Sequence, residues 1–229
     1  MALSTAGRYC DRMPTPRGFG SDNCSGVPPE LLVAIEAANE GHVPSYGSDR
    51  VTRRFEQLVG TEFGPDAVGF PVLNGTGANI TALRAVTRPH QGVICTETAH
   101  IHVDETASPE AIAGVKLLTV STADGKPTPE LVSGRMPEAL DIPHTASPSV
   151  VSITQATEVG TAYSPAEIKA LSEISHDNNM LLHMDGARLA NAAAAADLSL
   201  SEASIGSGVD VLTFGATKNG AMYGEAVIF

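Results

Sequence analysis

Short apolar runs alternate with amphipathic stretches along most of this chain. Residues 67–73, 92–96, 115–120, 149–154, 180–184, 209–214 and 225–229 are brief, Val-, Ile-, Leu- or Phe-bearing segments bounded by glycine, proline or polar residues, the pattern of buried strands. Between them lie segments with apolar residues at helical spacing. Pro28-Pro29 opens a helix that runs to Glu40 and stops at Gly41, and a second runs from Val51 to Val59, ending near Gly60 or Gly64. Further helices are predicted over Ile80–Val86, Pro109–Ala113, from residues 127–130 to Arg135, over Ser164–His176 and over Ala187–Ala196. Strands alternating with helices imply one α/β unit, a mainly parallel seven-stranded sheet covered by helices on both faces. Residues 1–20 show no periodicity and read as an extended arm. The organisation predicted is an arm and helix over residues 1–45, then a large domain over 46–229.

Composition narrows the picture. A chain of 229 residues with 42% hydrophobic content can bury a substantial core. No apolar run approaches the length of a membrane span, and the first ten residues lack the pattern of a signal peptide. The formal net charge of −12 disfavours nucleic acid as a partner, since phosphate contacts need a basic surface. Cys10, Cys24 and Cys95 are scattered without paired spacing, which argues against a disulfide framework or zinc site and is compatible with a reducing cytoplasm.

Four strand ends carry candidate chemistry, and in such sheets ligands sit beyond the carboxyl ends of the strands. Asn74-Gly75-Thr76-Gly77-Ala78-Asn79 joins a strand to a helix, where free N–H groups and the helix N-terminus suit a phosphate; glycine is also common in such turns for purely structural reasons. The segment matches neither a dinucleotide nor a Walker fingerprint, which disfavours a nicotinamide oxidoreductase. His183-Met-Asp185-Gly-Ala-Arg188 places a carboxylate at the end of an apolar strand. It could hold a proton on a cofactor ring nitrogen, or it could pair with Arg188 and cap the following helix. His100, His102, Asp104 and Glu105 cluster past another strand end. An active-site edge is favoured there over a metal, because the i, i+2 histidine spacing does not put two ligands on one helical face. Finally, Gly215-Ala-Thr-Lys218-Asn-Gly220 holds a lysine on a glycine-flanked turn between two buried strands. Shielded from water, that amine is suited to a Schiff base; at a loop tip it is only a solvated charge.

Taken in this order, an anion turn, a histidine, a strand-end aspartate and a turn lysine resemble the fold type I pyridoxal-phosphate enzymes, and among them the L-threonine aldolase family of β-eliminating lyases. The resemblance runs from Ser21 onward and rests on Gly20-Ser-Asp-Asn23, Tyr46-Gly47, Asn74–Asn79, Ala99-His-Ile101, His183–Leu189 and Thr217-Lys218. It implies a pyridoxal 5'-phosphate enzyme in which Lys218 carries the cofactor as a Schiff base, Asp185 pairs with the pyridinium nitrogen and His100 stacks on the ring. Gly75 and Thr76 would hold the phosphate, while Arg188 and Ser21 would contact the phenolic oxygen or the substrate carboxylate and Tyr46 the substrate. The implied reaction is cleavage of a β-hydroxy amino acid to glycine and an aldehyde. No metal is implied, and the partners are a small amino acid and, in the full-length form, the copies of a cytoplasmic homodimer or homotetramer.

The chain departs from the family in three places. Ile153-Thr-Gln-Ala-Thr157-Glu158 stands where many members have a histidine near the substrate hydroxyl, and Asp104 stands where many have a tyrosine. The sequence also ends at Phe229 in mid-strand, where the family continues into a smaller C-terminal domain with a further carboxylate-binding arginine. Residues 1–229 alone are therefore expected to bind the cofactor poorly. Other fold type I chemistries (hydroxymethyl transfer, β-elimination) and a non-catalytic remnant are the rival expectations.

Overall fold

The computed structural model describes residue 18, residues 20–136 and residues 144–229; the predicted arm, apart from residues 18 and 20, lies outside them, and so does Cys10. Seven strands form one sheet: β1 (Gly69–Val72), β2 (Gly92–Thr96), β3 (Lys116–Val120), β4 (Pro148–Thr154), β5 (Leu181–Gly186), β6 (Val211–Gly215) and β7 (Glu225–Ile228). Their order is β1-β7-β6-β5-β4-β2-β3. Strands β2 to β6 run parallel, while β7 is antiparallel to both β6 and β1, so the mainly parallel α/β sheet is as the alternation implied.

The side-chain period of two divides each strand between two cores. Ile94, Val151, Ile153, Leu182, Met184, Leu212 and Ile228 face one side, where they meet helices α2 (Arg50–Phe63), α6 (Pro165–Asp177) and α7 (Leu189–Ala196). Val93, Cys95 and Val150 face the other, against Leu83 of α3 (Gly75–Val86) and Ile101 of α4 (His100–Val103); Val211 and Val227 continue that face against Ala78 and Ala82. Both faces are thus covered, giving three layers. The remaining helices are α1 (Pro29–Ala38), which buries no residue, and α5 (Pro129–Ser133).

Local chemistry sets the boundaries. Ser164 and Glu167 close a reciprocal capping box at the start of α6, with Pro165 in its first turn. The one large boundary error concerns α3, predicted to begin at Ile80. It begins at Gly75, because the Asn74 side chain accepts from the Gly77 N–H at 2.7 Å and caps the helix there. The glycines masked that start. As a result Asn79 sits inside the helix and points into the molecule, 2% exposed.

One glycine marks where backbone meets backbone. A Cβ on Gly215 would lie 2.6 Å from both the Cα and the carbonyl oxygen of Ala187, so nothing flexible can yield. Gly215→Ala should lower the urea-unfolding free energy by about 1–3 kcal/mol. Gly60→Ala, in helix α2 with nothing within 4 Å of the new methyl, should instead raise it by about 0.5–1 kcal/mol.

Candidate active site

The register of the sheet assembles the site. Asp185 on β5 pairs with Thr154 on β4 and with Thr213 on β6, so three polar side chains meet at the carboxyl ends of adjacent strands. Above them opens a cleft of about 490 Å³. Lys218, Asp185, His100, Arg188, Gly75 and Thr76 all line it, as six of the eight residues singled out from sequence. The other two do not. Ser21 uses its hydroxyl to accept from the Asn23 N–H, and it is Asn23 that reaches the cleft. Tyr46 stands fully exposed on its loop.

Lys218 lies on a single 3-10 turn, Thr217–Asn219, closed by Gly220 at φ +85°, a left-handed conformation that glycine adopts without strain. Asn219 pins the turn by donating to the carbonyls of Gly215 (2.8 Å) and Ala187 (3.3 Å). The Ala216 N–H donates to Glu225, and the Thr217 hydroxyl and the Gly224 backbone bond each other. The lysine is half-buried and forms no ion pair among the described residues.

Opposite it, Asp185 is 5% exposed and held by two donors: the Ala187 N–H to Oδ1 (3.0 Å) and the Asn79 amide to Oδ2 (2.8 Å). The pairing of Asp185 with Arg188 considered from the sequence does not form. Arg188 turns instead to Asp22 in a two-pronged ion pair, Nε to Oδ2 at 2.6 Å and the second nitrogen to Oδ1 at 3.3 Å. Burial opposes the ionisation of Asp22, but the Arg188 hydrogen bond and charge, helped by Lys218, outweigh it and hold this carboxyl below the usual range.

His100 and His102 are separated by the helical turn of α4: His100 is half-buried in the cleft wall, whereas His102 and Asp104 face solvent. The His100 Nδ1 lies 3.0 Å from Oε1 of Glu105, and its backbone N–H donates to Oε1 of Glu158 at 2.8 Å. The Glu105 hydrogen bond, working against burial, raises the pKa of His100, with a further contribution from the Asp185 charge. Ligand atoms of His100, Glu105 and Asp185 lie within 4.8 Å of one another, close enough to suggest a cation. The Asn79 amide takes that place, donating to Glu105 Oε1 and Asp185 Oδ2, both at 2.8 Å. On the far wall Glu225 is shifted upward, chiefly by burial.

Sequence reading missed Asn79, Glu158 and Glu225. Asn79 carried one visible signal, a polar residue on the helix face otherwise made of Ala78, Ala82 and Leu83. Glu158 and Glu225 follow or begin strands and look like ordinary boundary charges.

A half-buried lysine, a strand-end carboxylate and a helix N-terminus around one cleft of a three-layer α/β sheet define a fold type I pyridoxal-phosphate architecture. The comparisons agree. The low-specificity L-threonine aldolase of Pseudomonas aeruginosa is 46% identical over 212 residues, which are 92% of this chain and 61% of that protein. The corresponding enzyme of Saccharomyces cerevisiae is 29% identical over 185 residues. Among solved structures, the threonine aldolase of Leishmania major matches with a TM-score of 0.85 at 33% identity, over 91% of this chain and 61% of that one. N-succinyldiaminopimelate aminotransferase of Mycobacterium tuberculosis shares the fold alone, at a TM-score of 0.62 and 18% identity. Residues 18–229 match the beta-eliminating lyase family, and the chain belongs to it. It spans about three-fifths (61%) of the length of the Pseudomonas relatives.

Beneath the site, His183 is fully buried on β5, its Nδ1 2.9 Å from the Ser152 hydroxyl, and burial pushes its pKa down to about 4 against the pull of Asp185. An unfolded histidine titrates near 6.5, so between about 6.5 and 4 the unfolded chain binds a proton that the folded one refuses. His183 should therefore cost stability as pH falls through that window. In a ring-proton NMR titration it should stay neutral above pH ~5, and the urea midpoint should decline as the solution is acidified.

Proposed function

We propose that the protein is a pyridoxal-phosphate-dependent aldolase that cleaves β-hydroxy amino acids of the L-threonine and L-allo-threonine type to glycine and an aldehyde. The observation that carries this reading is the placement of Lys218 and Asp185 in one cleft with the N-terminus of α3. Relatives bearing the name L-threonine aldolase support the choice of reaction.

The residues present fit the cofactor. The first N–H groups of a helix have no intrahelical partner, so Gly75 and Thr76 offer donors and a favourable dipole to a phosphate. Lys218 would supply the amine to which the cofactor is attached. When bound, pyridoxal phosphate supplies an electron-withdrawing ring that accommodates the pair released at Cα as the Cα–Cβ bond breaks. Asp185, oriented by Ala187 and Asn79, would hold the proton on the ring nitrogen, and His100 would stack against the ring. Arg188 would receive the substrate carboxylate, exchanging it for Asp22, in the two-pronged geometry that a guanidinium favours.

The domain division at residues 45 and 46, a cytoplasmic location, a homodimer or homotetramer in the full-length form and a place in threonine breakdown to glycine belong to the same proposal. Among the described residues no helix is long and apolar enough to cross a membrane.

Lys218→Ala should abolish the visible absorbance band of the lysine-bound cofactor and the turnover, and borohydride should no longer attach pyridoxyl mass to the protein. Some non-covalent cofactor binding through residues 74–77 should remain. Full turnover by this variant, measured as glycine formed, would remove Lys218 from the mechanism.

Asp185→Ala tests the other anchor. Its loss orphans an Asn79 donor, a cost of about 1–3 kcal/mol in unfolding free energy, whereas turnover should fall by more than about 10²-fold. Unfolding of the variant at saturating cofactor would show that the carboxylate serves packing first.

A further inference from the structure

Beyond the residues that would touch the cofactor lies a chain of buried hydrogen bonds. Glu105 is 2% exposed, and among the described residues no lysine or arginine bonds to it. Its Oε1 receives two donors, Nδ1 of His100 at 3.0 Å and the Asn79 amide at 2.8 Å, while its Oε2 is buried without a partner among the described residues. Asn79 in turn donates to Asp185 Oδ2, and its own oxygen accepts from the Thr213 hydroxyl at 2.8 Å. The two carboxylates fix which way the amide faces, since only its nitrogen can donate to both at once, and the Thr213 hydroxyl then donates to its oxygen. The order is Thr213, Asn79, then a fork to Asp185 and to Glu105, and from Glu105 to His100.

We propose that Glu105 and Asn79 are positioning residues: Glu105 holds the His100 ring with its proton on Nδ1, and Asn79 ties that assembly to Asp185, so the group that would pair with the ring nitrogen and the group that would stack on the ring are set by one buried chain. The inference rests on the function proposed above. A buried carboxylate can only accept, so Nδ1 must donate to it, and Nε2 is the nitrogen left toward the cleft when the ring is neutral. The backbone that carries the ring is also held, because α4 is anchored by the His100 N–H on Glu158 and by buried Ile101. Charged groups facing His100 are Glu105, Asp185 and Glu158, with Lys218 opposing them. Two buried carboxylates bonded to a single nitrogen would repel if that amide were lost. Asn79 is thus the member on which the others depend.

The test reads the imidazole directly. In protein labelled with ¹⁵N at histidine, His100 of the unaltered chain should show a protonated Nδ1 when neutral, with a midpoint above the ordinary value near 6.5. In Glu105→Gln, which removes the charge but keeps an accepting oxygen, the midpoint should fall by roughly one pH unit, whereas in Glu105→Leu the preference for the Nδ1 tautomer should also be lost. In cofactor-loaded protein Glu105→Gln should lose about 10- to 100-fold in turnover with little change in KM. Glu105→Asp, which retains the charge, should recover part of both. An Nε2-protonated His100 in the unaltered protein overturns the proposal without recourse to any variant. So does a Glu105→Gln protein with an unchanged midpoint and unchanged turnover. Failure of the unaltered protein to take up pyridoxal phosphate would strike the proposed function instead, and the histidine titration would still stand as a measure of the hydrogen-bond chain.

Discussion

Negative charge buried at the carboxyl edge of the sheet is the constraint around which this structure is arranged. Asp185 and Glu105 are both almost fully withdrawn from solvent, 5% and 2% exposed, and a buried carboxylate without donors is strongly unfavourable. The fold meets the requirement with neutral donors, an asparagine amide and a backbone N–H, together with one histidine. Helix α3 must therefore start at Gly75 to bring Asn79 one turn later over the sheet. Strands β4, β5 and β6 must hold the register that sets Thr154, Asp185 and Thr213 side by side. The cationic groups, Lys218 and Arg188, remain at the cleft surface where a ligand can reach them.

The division between what could and could not be read in advance follows from the kind of interaction involved. The central strands were legible because a strand buried on both faces is a contiguous apolar run, as β2 and β5 show most plainly, while edge strand β1, with no buried residue, was legible from its short apolar run alone. Lys218 and Asp185 were legible because their surroundings are unusual for charges. The antiparallel insertion of β7 was not, since strand order depends on contacts distant in sequence. Asn79 escaped notice for a related reason: its partners are Glu105, Asp185 and Thr213, the nearest of them 26 residues away. Ser21 and Tyr46 were placed by resemblance alone, and neither lies in the cleft wall.

Arg188 shows how a single side chain serves both levels. Its fork closes on Asp22, joining the first described turn of the chain, Asp22–Cys24, to the end of β5. An incoming carboxylate therefore meets a guanidinium already matched to a carboxylate in shape and charge. Under the proposed function, recognition there would be an exchange of one anion for another, with selectivity set by how well the newcomer reproduces both prongs.

The position of β7 has a consequence for how the molecule comes into being. Among the described residues, β1 joins the sheet only through β7, and β7 lies between β1 and β6 although it is the last strand in sequence. While the chain is being made, β6 therefore presents an unpaired edge and residues 69–72 have no sheet to enter. The hairpin that carries Lys218 is also the piece that closes this gap. Completion of the sheet and delivery of Lys218 to the cleft are thus one event, which cannot precede the emergence of Ile228 from the ribosome.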